Sequence, residues 1–189
     1  MRWLFFSYSL PAEPSKARVY VWRRIKKLGA INYQSFWVLP YSNQHVAELR
    51  KLVDDIKNYK GESVLIEGKA LDKHQEDLIA KAFQESRDEE YGELIAKCED
   101  FFKEIAFEIE RQNFIFAEVE ENEEELEKLK EWLKKIEKRD QGRASLRKTA
   151  IEKIKECEER FDEFAKMVFL RSQGKAKGEV NTGKDNGVE

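Results

Sequence analysis

Histidine is almost missing from this sequence. His45 and His74 are the two present, and neither has a Cys or carboxylate cluster at ligand spacing. That leaves no recognisable donor set for a metal centre. No G-x-S-x-G, P-loop or G-x-G-x-x-G occurs, so the usual nucleophile elbow and phosphate-cradling glycine loops are absent too. Cys98 and Cys157 lie in helical patterns without metal-type spacing and read as buried reduced thiols. Long apolar runs are lacking as well. The longest, "WLFFSYSL", falls far short of the ~20 residues that span a bilayer. It carries no small-residue cleavage site, so no signal peptide and no membrane partner is expected, and the expected location is cytoplasmic. Together these gaps argue against an enzyme: no catalytic residue, no cofactor and no metal ligand is nominated.

What the chain does have is charge. Asp, Glu, Lys and Arg make up 39% and apolar residues 41%, too apolar for a disordered chain and too charged for a membrane protein. The net charge of −3 conceals an asymmetry. Residues 1–71 carry twelve Lys and Arg against six Asp and Glu; residues 72–142 carry twelve against twenty-three. A basic front and an acidic middle imply two modules with different work.

In the front module, "RWLFFSYSL" is nearly all apolar and ends at Pro11, the pattern of a buried strand. Ser15 is placed to cap a helix running to Leu28 and stopped by Gly29. "AINY" and "FWVLP" form a hairpin about Gln34-Ser35. Ser42 or Asn43 opens a second helix, with Val46, Leu49, Val53 and Ile56 at helical spacing. "SVLIEG" is a last strand. The order is β-α-β-β-α-β, which predicts a ferredoxin-like α+β domain over 1–71.

The first helix carries the most distinctive pattern. At about 100° per residue, Ala17, Val21, Ile25 and Leu28 share the face that packs. Lys16, Arg23 and Lys27 share the opposite side, with Lys26 at its edge and Arg24 at a rim. Arg18 falls among the apolar residues, beside Trp22, and its replacement is expected to lower stability. No acidic residue interrupts the run from Lys16 to Lys27. Such a stripe is either a solvated face or a contact for phosphates. Several cations on one rigid face, with Tyr20 and Trp22 beside them, suit nucleic acid.

The back module, 72–171, reads as an α-helical bundle or hairpin. Asp72 and Gln75 resemble a capping box. Tyr91, Leu94, Cys98, Phe101, Ile105 and Ile109 keep a 3-4 spacing. Asn122 is placed to cap a helix with Leu126, Leu129, Leu133 and Ile136 inward. "RDQGR" marks a turn, and a last helix carries Leu146, Ile151, Ile154, Phe161, Ala165 and Val168. The glutamates between Glu118 and Glu125 suit a helix's first turns better than a metal. The tail, 172–189, is expected to be disordered.

Three segments resemble a known family. "SLPAEPSKARVYVWRRIKKLGAINYQSFWVLP" looks like the opening of ChrB, the chromate-resistance regulator family. "RDEEYGELIAKCEDFF" and "FAEVEENEEELEKLKEWLKKIEKRD" resemble the rest of that family's N-terminal domain. A weaker likeness is to the corresponding domain of the PaaX repressors. The resemblance implies a cytoplasmic transcription regulator that binds double-stranded DNA and controls a chromate efflux operon. Within the matching "RVYVWRRIKKLG", the residues carried over are Arg18, Arg23, Arg24 and Lys27. ChrB proteins continue into a second domain associated with chromate response, whereas this sequence ends in a polar tail, so chromate sensing is not expected of these residues. "GAINYQSFWVLP" is also similar to a hairpin of the small CRISPR adaptation nucleases. Their metal-binding aspartate lies at the end of the first strand, where this sequence has Ser7-Tyr8-Ser9, so metal-dependent cleavage is not expected. The competing expectation is a non-enzymatic dimerisation or protein-interaction module, built on exposed sheet edges and amphipathic helices. A homodimer is expected in either case.

Overall fold

A computed structural model of the protein describes residues 1–140 and 144–182, with side chains as far as 174. It is an α+β chain, mostly helical. The described residues hold β1 (Trp3–Ser9), α1 (Ser15–Lys27), β2 (Ile31–Tyr33), β3 (Phe36–Pro40), α2 (Asn43–Asn58), β4 (Glu62–Gly68), α3 (Lys73–Glu110), α4 (Phe116–Arg139) and α5 (Arg147–Thr182). The strands form one antiparallel sheet in the order β2-β3-β1-β4. The chain divides into two compact units: Met1–Arg87 with Arg139–Ala144, and Asp88–Lys138 with the residues from Ser145 on.

In the first unit, strand alternation gives the sheet two apolar faces. On one, Leu4, Phe6 and Leu39 pack against Val21 and Ile25 of α1 and Leu49, Leu52 and Ile56 of α2. On the other, Trp3, Ile31 and Val38 meet Ile79, with Ala82 and Phe83 alongside. The first turns of α3 thus cover the second face. This is why the unit runs to Arg87, past residue 71 where the sequence period changes. The hairpin turns through Gln34, whose φ of 54° is accessible to a non-glycine residue at modest strain.

The helix starts follow the sequence signals only in part. Ser42 caps α2, its hydroxyl accepting from the His45 N–H at 3.0 Å, and Asp72 caps α3, accepting from the Gln75 N–H at 2.9 Å. Ser15 does not cap α1. The N-cap is Pro14, in extended conformation and without a side-chain bond, so Ser15 is already helical. Asn122 is not a cap either: α4 begins at Phe116, and the buried Asn122 amide donates to the Glu118 carbonyl one turn back, at 2.8 Å.

In the second unit, Tyr91, Leu94, Cys98, Phe101 and Ile105 of α3 are buried, as are Leu126, Leu129 and Ile136 of α4 and Ala150, Ile154, Cys157, Phe164 and Val168 of α5. Phe164, not Phe161, is the fully enclosed aromatic of α5. The two thiols are free and buried. A hydrogen bond between the two thiols lowers the pKa of Cys98 and raises that of Cys157. α5 runs on past Ser172, the expected start of the tail; a helix already nucleated gains a bond for each residue added. Residues 183–189 of that tail, and 141–143 of the "RDQGR" turn, lie outside the described residues.

Candidate nucleic-acid interface

α1 is held to the sheet by Ala17, Val21 and Ile25, all buried. Their spacing turns the rest of the helix outward, and Lys16, Arg18, Arg23, Lys26 and Lys27 are all exposed. None of the five forms an ion pair with a described residue. Trp22 stands among them with 48% of its surface exposed, and Val19 with 45%. A shallow trough along the helix is lined by Ser15, Lys16, Val19, Tyr20, Arg23, Arg24 and Lys27.

Several cations of the second unit are neutralised along their own helices. In the second unit Lys97 and Lys103 meet Asp100, Lys130 meets Glu127 and Glu158, Lys134 meets Glu131, and Lys153 meets Glu99 and Glu156. Most of these are i,i+3 pairs along one helix, the ordinary way to neutralise a solvated face. α1 has no acid to make such pairs.

Arg24 is the exception on α1. Its guanidinium donates to Glu48 of α2 at 3.0 Å and reaches the Tyr20 hydroxyl at 3.5 Å. Glu48 also accepts from Lys51 at 2.8 Å. Lys51, with Arg24 and Lys27 adding to it, holds the Glu48 carboxyl below the usual carboxylate range. Tyr20 donates to Asp55 at 2.8 Å, and that bond pushes its phenol up. Glu48 and Asp55 thus pin one flank of α1 and take Arg24 partly out of the cationic set. They stand seven residues apart on α2, two helical turns, and so share one face of that helix.

The other flank is open. Lys26 extends its ammonium over the Trp37 ring at 5.9 Å. Arg18 lines a shallow depression with Ser7, Tyr8, Leu10, Ser35 and Trp37. The sequence pattern puts it among apolar neighbours, but it is exposed. It stands in the first turns of α1, over the end of β1, and its long side chain carries the charge past the apolar seam into water. The six nominated residues therefore separate into an exposed crest (Lys16, Arg23, Lys27), an open flank (Arg18, Lys26) and one engaged residue (Arg24).

A second concavity lies on the other face of the sheet, lined by Trp3, Pro40, Ala80, Phe83, Gln84, Arg87, Arg139 and Asp140. Its volume of about 20 Å³ suits one water and excludes a nucleotide. Among the described residues, no group of His, Cys, Asp and Glu could hold a metal ion, and no helix is long and apolar enough to cross a membrane.

A family model described as "Protein ChrB, N-terminal" matches residues 18–175. The match includes Arg18, Arg23, Arg24, Lys26 and Lys27 and begins after Lys16. No curated protein and no solved structure matches the chain.

Proposed function

The chain belongs to the ChrB N-terminal family, and from that premise we propose that it is a DNA-binding transcriptional regulator that grips the phosphate backbone with α1. The observation that carries the reading is the set of exposed, unpaired cations on one rigid helix. What sets this face apart is that α1 contains no acid at all, whereas the helices of the second unit interleave lysines with acids that pair several of them. Trp22 and Val19 add apolar surface for sugar and base edges. Phosphate contacts of this kind position a protein on the duplex but do not read sequence. Control of a chromate-resistance operon, in the cytoplasm, is the biological setting the family suggests. A ferredoxin-like front domain is part of the same proposal, supported by the β-α-β-β-α-β order and the sheet order β2-β3-β1-β4.

The reading includes no catalytic step. Ser7 and Ser9 stand at the end of β1, where a neutral hydroxyl lacks the negative charge with which a carboxylate holds a divalent cation. Purified protein is expected to leave duplex DNA intact in Mg²⁺ or Mn²⁺.

The decisive experiment replaces Lys16, Arg23 and Lys27 together by Gln and titrates a duplex at several salt concentrations. All three point away from the core, so the melting temperature should hold. Affinity should fall for every sequence alike, and the slope of log affinity against log salt should shrink by roughly 1 for each phosphate no longer neutralised. Unchanged affinity and slope would show that the crest is only a solvated face.

A further inference from the structure

We propose that β4 is a dimerisation edge, along which two copies of this chain pair antiparallel about a two-fold axis at Leu65. The sheet has two edges, and they are built differently. β2 is only three residues long, one of the ways proteins blunt an edge. β4 has seven, and all seven are in register with β1, from Trp3↔Gly68 to Ser9↔Glu62, so no bulge interrupts it. It contains no Pro and no Lys, the other common guards. Its outer edge pairs with no described strand. Beside that edge Val64 is 53% and Ile66 46% exposed. Both lie on the sheet face opposite α1 and α2, since they pair with Ser7 and Phe5, whereas Leu65 pairs with Phe6.

The sequence of β4 says which partner fits. A two-fold axis perpendicular to the sheet preserves its faces, so one residue must lie opposite its own copy. With Leu65 on the axis, the whole of "ESVLIEG" overlaps. Val64 then falls opposite Ile66 of the second copy, and Ile66 opposite Val64, which turns four exposed β-branched side chains into two cross-strand pairs. Ser63, a hydroxyl donor, faces Glu67, a carboxylate acceptor, twice over. Glu62 faces Gly68, so no like charges meet. With the axis at Val64 the overlap shortens and Glu62 faces Ile66. With the axis at Ile66 it shortens again and Leu65 faces Glu67. The strand is complementary to itself in one register, and the occupant of this edge is therefore a second copy.

Sedimentation across the micromolar range tests this, with two double variants. Val64→Lys with Ile66→Lys places lysine opposite lysine at both pairs. Val64→Lys with Ile66→Glu places lysine opposite glutamate at both. The side chains are exposed, so each variant should melt close to the parent. The parent and the Lys/Glu variant should sediment at twice the 22.4 kDa chain mass, and the Lys/Lys variant at that mass itself. A monomeric parent, or a Lys/Lys variant that stays dimeric, overturns the proposal. A Lys/Glu variant as monomeric as the Lys/Lys one overturns the Leu65 register. This test reads mass alone and stands whether or not α1 binds DNA.

Discussion

Arg23 and Arg24 are neighbours in sequence, yet one reaches into water while the other is shared between Glu48 and Tyr20. A cation already engaged must leave its carboxylate before it can take a phosphate, and that exchange cancels much of the gain. Glu48→Gln should therefore strengthen duplex binding and steepen the salt slope by up to about 1, by returning Arg24 to the set. Acid acts through the same group. The Glu48 carboxyl is held low in the folded protein, so its contribution is complete above the ordinary carboxylate range. It fades as pH falls through the lowered value. Between neutrality and mild acid the Glu48→Gln difference should stay constant, and an affinity titration against pH checks it. Arg18 makes a separate prediction. Being exposed, Arg18→Ala should change stability by no more than about 0.5 kcal/mol and should act on the salt slope alone, as paired melts and titrations would reveal. The sequence pattern turns Lys16, Arg23 and Lys27 away from the packed face, and all three are exposed. It misplaces Arg18 because a helical wheel gives the direction of Cβ, not the end point of a long side chain. It does not show Arg24 captured, because Glu48 lies on another element.

At the scale of the element, boundaries depend on who satisfies the free ends of a helix. Ser42 and Asp72 were legible because a cap and its acceptor bond are local. The start of α5 was legible to within a residue, but what holds it was not, because the partner comes from far away: Asp88 of α3 accepts from the Leu146 N–H and from the Ser145 hydroxyl, both at 2.9 Å. Asp88→Ala should lower stability by roughly 1–2 kcal/mol, seen as an earlier thermal transition, while Asp88→Asn should recover part of it. Asn122 misleads for a related reason. An Asn before a run of glutamates suggests a cap, but the amide here bonds back within its own helix, a use open to Asn wherever the preceding turn is helical. Gly61 reads in the sequence as a simple stop for α2. It also sits where a Cβ would come within 2.5 Å of the Ser9 carbonyl oxygen. Gly61→Ala should destabilise the first unit by roughly 1–3 kcal/mol, and chemical denaturation would measure it.

At the scale of the whole molecule, the order of strands and helices was legible because the apolar period changes from 2 to 3.6 at each boundary. What covers the second sheet face was not, because Ile79 and Phe83 belong to a helix the sequence assigns to the back module. The consequence for function lies in symmetry. α1 and α2 pack on one face of the sheet, and a two-fold axis perpendicular to a joined sheet keeps both α1 crests on that same side. A dimer through β4 would thus offer a duplex two unpaired cationic stripes instead of one. The Val64→Lys/Ile66→Lys variant should then bind a duplex of about 30 base pairs more weakly, and with a shallower salt slope, than the Lys/Glu variant. The added lysines on their own would strengthen binding to a polyanion, so a weakening has to come from the absence of the second stripe. On a duplex of about 10 base pairs, one helical turn, a single crest fills the site and the dimer deficit should vanish. A deficit of equal size on both lengths would mean that the two stripes do not engage one duplex together.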